Sequence, residues 1–156
     1  MALLLLVSGL LMALLSGVFL SFSDFVMRGL RQAPAAAGSA GMVGLNRTVY
    51  RSVFMVLFMG FLPVSFGLAI LALWQSDGAA VGLVLAGSLA YVVGCFGVTG
   101  LGNVPLNNGL DALANRAEER AAYWPAYARR WTVLNHLRTL ATAVAAVMWV
   151  SAAQII

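Results

Sequence analysis

Four polar clusters interrupt an otherwise oily chain, and their side chains are the ones that could do chemistry. The densest runs from Trp131 to Thr139 and carries Asn135, His136 and Arg138 within two helical turns. A second, Gly102 to Asp111, supplies Asn103, Asn107, Asn108 and Asp111. Asn46 with Arg47, and Asp24 with Arg28, complete the set. An imidazole can take up a proton near neutral pH, and amides or guanidinium groups can hold an oxygen that is gaining negative charge. His136 is therefore the candidate proton acceptor. Arg138, Asn135 and Asn103 are the candidate oxyanion donors. Asn46, Arg47, Asn107, Trp131 and Asp24 are the candidates for contacting a substrate.

These residues are far apart in sequence, so helices must bring them together. Asn103, Asn107 and Asp111 recur at i, i+4 and i+8, and Trp131, Asn135 and Arg138 at i, i+4 and i+7, so each set shares one helix face. Asp24 and Arg28 are spaced to pair along a third. Asn46 with Tyr50, and Arg47 with Arg51, form two polar faces, of which one can reach lipid phosphate while the other turns inward.

With 62% hydrophobic and 9% charged residues, and arginine as the only cationic side chain type apart from histidine, the chain reads as an integral membrane protein. A span needs about 20 apolar residues. Four runs qualify, at about 2–26, 52–75, 79–103 and 131–153, which predicts a single all-α membrane domain: a four-helix bundle with short interfacial helices in its two arginine-containing connections. Met1 to Ser23 lacks the basic start of a secretory leader and reads as the first span. Pro34 can open the interfacial helix that follows. Ala112 to Ala122 reads as a second short helix, and Pro105 is expected to break or bend the third span beside its amides. Glycines 82, 87, 94, 97, 100 and 102 suit a third helix packed closely in the middle of the bundle.

Arg28, Arg31, Arg47 and Arg51 lie in one connection and Arg116, Arg120, Arg129 and Arg130 in the other, whereas the turn at Asp77 has no cation. That asymmetry predicts both termini outside and the arginine-containing connections in the cytoplasm, in a plasma (inner) membrane. Arginines distributed in this way are a topology signal and do not form a nucleic-acid footprint. The lone Cys95 rules out an intrachain disulfide and reads as a small core residue.

No nucleophile triad can be assembled around one histidine. An imidazole, amides and fixed guanidinium charges beside an aromatic cavity suit a flat, lipophilic phenolic or quinonoid ligand. Other classes use the same residues differently. His136 with Asp24 and Asp111 could ligate a metal, or His136 alone a haem. The polar cluster could equally serve only to fix helix register in a structural or accessory subunit, or in a homo-oligomer. A carrier is disfavoured by the absence of inverted repeats.

Asn46-Arg47, then Gly102-Asn103-Val104-Pro105-Leu106-Asn107, then Trp131 with Asn135-His136-Leu137-Arg138-Thr139 resemble the DUF1772 family, the anthrone-oxygenase-like membrane proteins. The resemblance extends over essentially the whole chain, including Ser23-Asp24-Phe25-Val26-Met27. It implies a multi-pass bundle and oxidation of anthrones to anthraquinones, with O2 as co-substrate and no bound cofactor. A deprotonated anthrone is electron-rich enough to reduce O2 itself, so the protein would supply a base, oxyanion donors and exclusion of water.

Overall fold

Hydrophobic runs this long leave the backbone one stable option in lipid, which is to pair every N–H with a carbonyl of its own helix. The computed structural model describes all 156 residues, and they form five helices without a strand. Helices α1 (Ala2–Gln32), α3 (Val53–Gln75), α4 (Gly78–Ala112) and α5 (Ala117–Ala153) are each long and apolar enough to cross a membrane, so the chain is an integral, multi-pass membrane protein. Helix α2 (Ala35–Thr48) is the short helix of the first connection, and one tight turn, Val49–Arg51, leads from it to α3. Ser52 opens α3 by accepting a hydrogen bond from the Met55 N–H (3.3 Å). The turn between α3 and α4 needs Gly78, whose φ is +60°.

The helices outrun the hydrophobic segments on the polar side of the bundle. Hydropathy marks how much of a helix lipid can cover, whereas hydrogen bonding carries the helix further. The stretch Ala112 to Ala122, expected to be a separate short helix, is instead divided between the end of α4, a turn at 113–116 and the start of α5, and Pro125 sits on an exposed side of α5 without ending it. Pro105 does not break α4 either. The turns immediately before it, Thr99–Asn103, are wound wide in the i→i+5 pattern, a register change that accommodates a ring without an N–H. Wide turns also occur at Ala90–Gly97 of α4 and Phe22–Val26 of α1.

The centre of the bundle is α5, whose backbone runs against α1, α2 and α4. Of the glycines in α4, three make the seam with α5. A Cβ at Gly87 would lie 2.8 Å from the Trp149 ring, at Gly94 2.6 Å from Ala141 Cβ, and at Gly102 2.8 Å from Leu134 Cδ1. Close backbone approach gains the dispersion contacts that hold helices together in lipid. Gly100, by contrast, meets nothing and faces an open space described below.

Two apolar cores result. One, around Leu5, Met12, Phe58, Tyr91 and Trp149, fills the membrane half of the bundle. The other, around Met27, Met42, Leu110, Trp124 and Tyr127, lies where α2 covers the ends of α1, α4 and α5. Gly38, Ser39, Met42, Val43 and Asn46 give α2 its inward face, while Ala37 and Leu45 are exposed. Arg120 pins this helix. It is 8% exposed and donates to Ser39 Oγ (3.1 Å), to the Ala36 carbonyl (3.4 Å) and to the Ala114 carbonyl. Charged hydrogen bonds of this kind contribute about 1.5–3 kcal/mol each, before relaxation. Arg120→Ala is expected to lower stability by about 2–3 kcal/mol, read as a drop in the thermal unfolding midpoint with early exposure of α2 to protease.

Candidate functional site

Between the two cores lies a cavity of about 410 Å³. Phe19 and Phe22 of α1, Phe54 and Phe58 of α3 and Phe96 of α4 give it aromatic walls, and Met42 and Asn46 of α2 close it from above. The wide turns place Phe22, Phe96, Thr99 and Gly100 on its lining. Exposed Leu45, Thr48, Tyr50 and Met59 form its mouth, so a ligand can enter sideways at the junction of α2 and α3.

Arg138 stands at the inner end, 6% exposed. Its guanidinium lies over the Phe19 ring (4.7 Å) and the Trp131 ring (5.1 Å), which occupy its faces and leave its edge for hydrogen bonds. Nη2 donates to Asn135 Oδ1 (2.7 Å) and Nη1 to Thr99 Oγ1 (3.4 Å), while buried Nε has no partner. The ion pairs in the fold are Arg47–Asp111 and Arg116–Glu119, so this buried cation has no carboxylate against it. A buried charge normally requires a counterion, because desolvation costs several kcal/mol. Such an arrangement has the chemistry to hold an anion in a hydrocarbon-lined space.

Asn135 fixes the guanidinium. Fully buried, it donates from Nδ2 to the Phe19 carbonyl (2.7 Å) and to Ser23 Oγ (2.6 Å), tying α5 to α1 while its carbonyl holds Arg138. Asn107 does the same for Trp131: its Oδ1 accepts from Trp131 Nε1 (3.0 Å) and from the Tyr127 hydroxyl (2.9 Å), which in turn accepts from Asn46 Nδ2 (3.3 Å). Three helices are thus joined by one chain of side-chain hydrogen bonds, and Asn46, Asn107, Trp131, Asn135 and Arg138 all line the cavity.

The remaining candidates lie elsewhere. His136 is one position round the helix from Asn135, exposed on the outer surface, and makes no hydrogen bond. It does not line the cavity, because the face that carries Trp131, Asn135 and Arg138 inward turns the intervening residue outward. Asp24 is also exposed and does not pair with Arg28, since the i, i+4 rule assumes an ordinary helix and the wide turn Phe22–Val26 displaces the register. Arg47 is exposed and paired with Asp111 (2.7 Å) outside the aromatic cavity. Asn103 is buried and donates to the Trp131 carbonyl (3.3 Å), so it supports the wall from behind. His136, Asp24 and Asp111 are not gathered as a ligand set, nor is any other trio of His, Cys, Asp or Glu side chains.

Ser23, Thr99 and Tyr127 hydrogen-bond to the polar side chains of the cavity, although helical spacing assigned none of them to the site. Each is a hydroxyl within or beside an apolar run, where polarity itself is the signal: buried hydroxyls and amides need partners.

No curated protein and no solved structure matches the chain. A family model described as anthrone oxygenase matches residues 47–148, the segment that runs from the α2–α3 junction through the cavity walls to the far end of α5. Together with the four membrane-spanning helices, that match makes the chain a member of the anthrone oxygenase family, also called DUF1772.

Proposed function

We propose that the protein is a membrane-embedded oxygenase that binds an anthrone-like phenolic aromatic in the cavity and converts it to the quinone with O2 and no bound cofactor. The observation that carries this reading is Arg138, a buried guanidinium without a counterion, at the end of an aromatic-walled space. A neutral ring system fits the phenylalanines, and the oxygen that becomes negative on loss of the ring-methylene proton fits the guanidinium edge. The enolate then forms in a water-poor site where opposite charge is worth more than in water.

No carboxylate or imidazole lines the cavity, so the proton leaves to water at the open mouth. The enolate gives an electron to O2, the two radicals combine at the former methylene carbon, and the resulting peroxide anion takes back one proton from water at the mouth to give a hydroperoxide that loses water. One oxygen atom remains as the new carbonyl and the other leaves with the two methylene hydrogens as H2O, so anthrone and O2 give anthraquinone and water. Asn135 and Thr99 hold the guanidinium, and Trp131, held by Asn107, limits its movement.

Purified protein supplied with 18O2 and an anthrone should place one labelled oxygen in the quinone at a rate well above the uncatalysed reaction. Label appearing only at the uncatalysed rate would refute the proposal, and stoichiometric metal in the active preparation would remove its cofactor-free part. His136→Ala is expected to leave turnover within about twofold, as for exposed positions away from a site. A loss of more than about tenfold would return His136 to the role of base.

The alternative in which the polar cluster only fixes helix packing would leave its groups mutually satisfied and the space between them filled. The 410 Å³ cavity and the counterion-free Arg138 guanidinium on its lining favour a ligand.

A further inference from the structure

A second cationic feature adjoins the mouth of the cavity. Arg47, Thr48 and Arg51, at the turn between α2 and α3, line an open hollow of about 480 Å³. Thr48 lines both spaces, so the hollow and the aromatic cavity share a wall. Arg47 already meets Asp111 through Nε, whereas Arg51 has no carboxylate within ion-pair distance. The group therefore carries an excess positive charge.

Resting on the function proposed above, we infer that this hollow receives an acidic substituent of the substrate, so that the natural ligand is an aromatic acid. The rings occupy the cavity, the oxygen that gains charge meets Arg138 inside, and a carboxylate at the opposite edge of the ring system meets Arg51 at the mouth. Two cations at opposite ends fix which way round a flat molecule enters, which the phenylalanine walls alone cannot do. An oxyanion at a bilayer surface can also come from a phospholipid headgroup, and the same arginine chemistry would hold it.

The test compares two quinones in lipid-free neutral detergent: 1,8-dihydroxyanthraquinone and its 3-carboxylic acid, with affinities read from quenching of tryptophan fluorescence. The ratio of the two affinities is measured for the wild type, Arg51→Gln and Arg51→Lys, which cancels differences in partition into detergent. Arg51→Gln is expected to weaken the acid about tenfold and leave the neutral quinone unchanged, with Arg51→Lys in between. An equal effect on both quinones, or on neither, overturns the inference while leaving the proposed oxygenase in place. A ratio insensitive to Arg51, together with loss of co-purifying phospholipid phosphate in Arg51→Gln, assigns the hollow to lipid and overturns it as well. Failure of both quinones to bind the wild type removes the inference and the oxygenase reading together.

Discussion

Arg138→Met is expected to lower turnover of an anthrone by about 10³-fold, roughly 4 kcal/mol of transition-state stabilisation, while leaving the thermal unfolding midpoint near that of the wild type. The two halves of this result have one cause. An uncompensated buried cation is costly in the empty protein and useful only when an anion arrives. Methionine fills a similar volume between Phe19 and Trp131 and removes the desolvation penalty. Against that gain, Asn135 Oδ1 is left without a donor, at about 1–3 kcal/mol, whereas Thr99 Oγ1 keeps its bond to the Cys95 carbonyl. The terms are of similar size and opposite sign. Arg138→Lys keeps the charge without the planar fork and should retain part of the activity. Collapse of the fold in Arg138→Met would show instead that the guanidinium is a structural element.

Asn135→Leu should do the reverse, acting first on stability. Leucine matches asparagine in shape, but it leaves the buried Ser23 hydroxyl and Arg138 Nη2 without their partners and takes one donor from the Phe19 carbonyl, which keeps its backbone bond within α1. At about 1–3 kcal/mol for each, reduced by relaxation, the loss is about 3–5 kcal/mol. For a chain of this length that corresponds to an unfolding midpoint lowered by roughly 10 °C, measured in detergent, with activity lost alongside. A midpoint equal to that of the wild type would mean that α1 and α5 are not tied together at Asn135.

Most of the framework was legible because lipid leaves few choices. Uncharged runs of about 20 residues must be helices, and an amide inside one must find a partner. Spacing also brought Trp131, Asn135 and Arg138 to one face and Asn46 to another, and these residues do meet at the cavity with Asn107. His136 was misplaced by chemistry: an imidazole attracts attention, yet its position in the helix repeat, next to Asn135, is the outward one. Asp24 and Arg28 were misplaced by geometry, since hydropathy carries no sign of a wide turn. Arg120 looked like one more topology charge. Its burial depends on α2 folding back over α5, a tertiary contact with no local signature. The aromatic walls were hidden for a similar reason, because phenylalanine facing a cavity and phenylalanine facing lipid look alike in a sequence.

The central claim is that the buried guanidinium awaits a negatively charged oxygen, and a bound quinone can report this by its own colour. Protein saturated with 1,8-dihydroxyanthraquinone is held at a pH just below that at which the free quinone begins to redden, and its visible spectrum is recorded for the wild type and Arg138→Met. The red phenolate spectrum is expected with the wild type and the yellow neutral spectrum with the variant. A yellow complex with the wild type, or a red one that persists in Arg138→Met, would contradict the account.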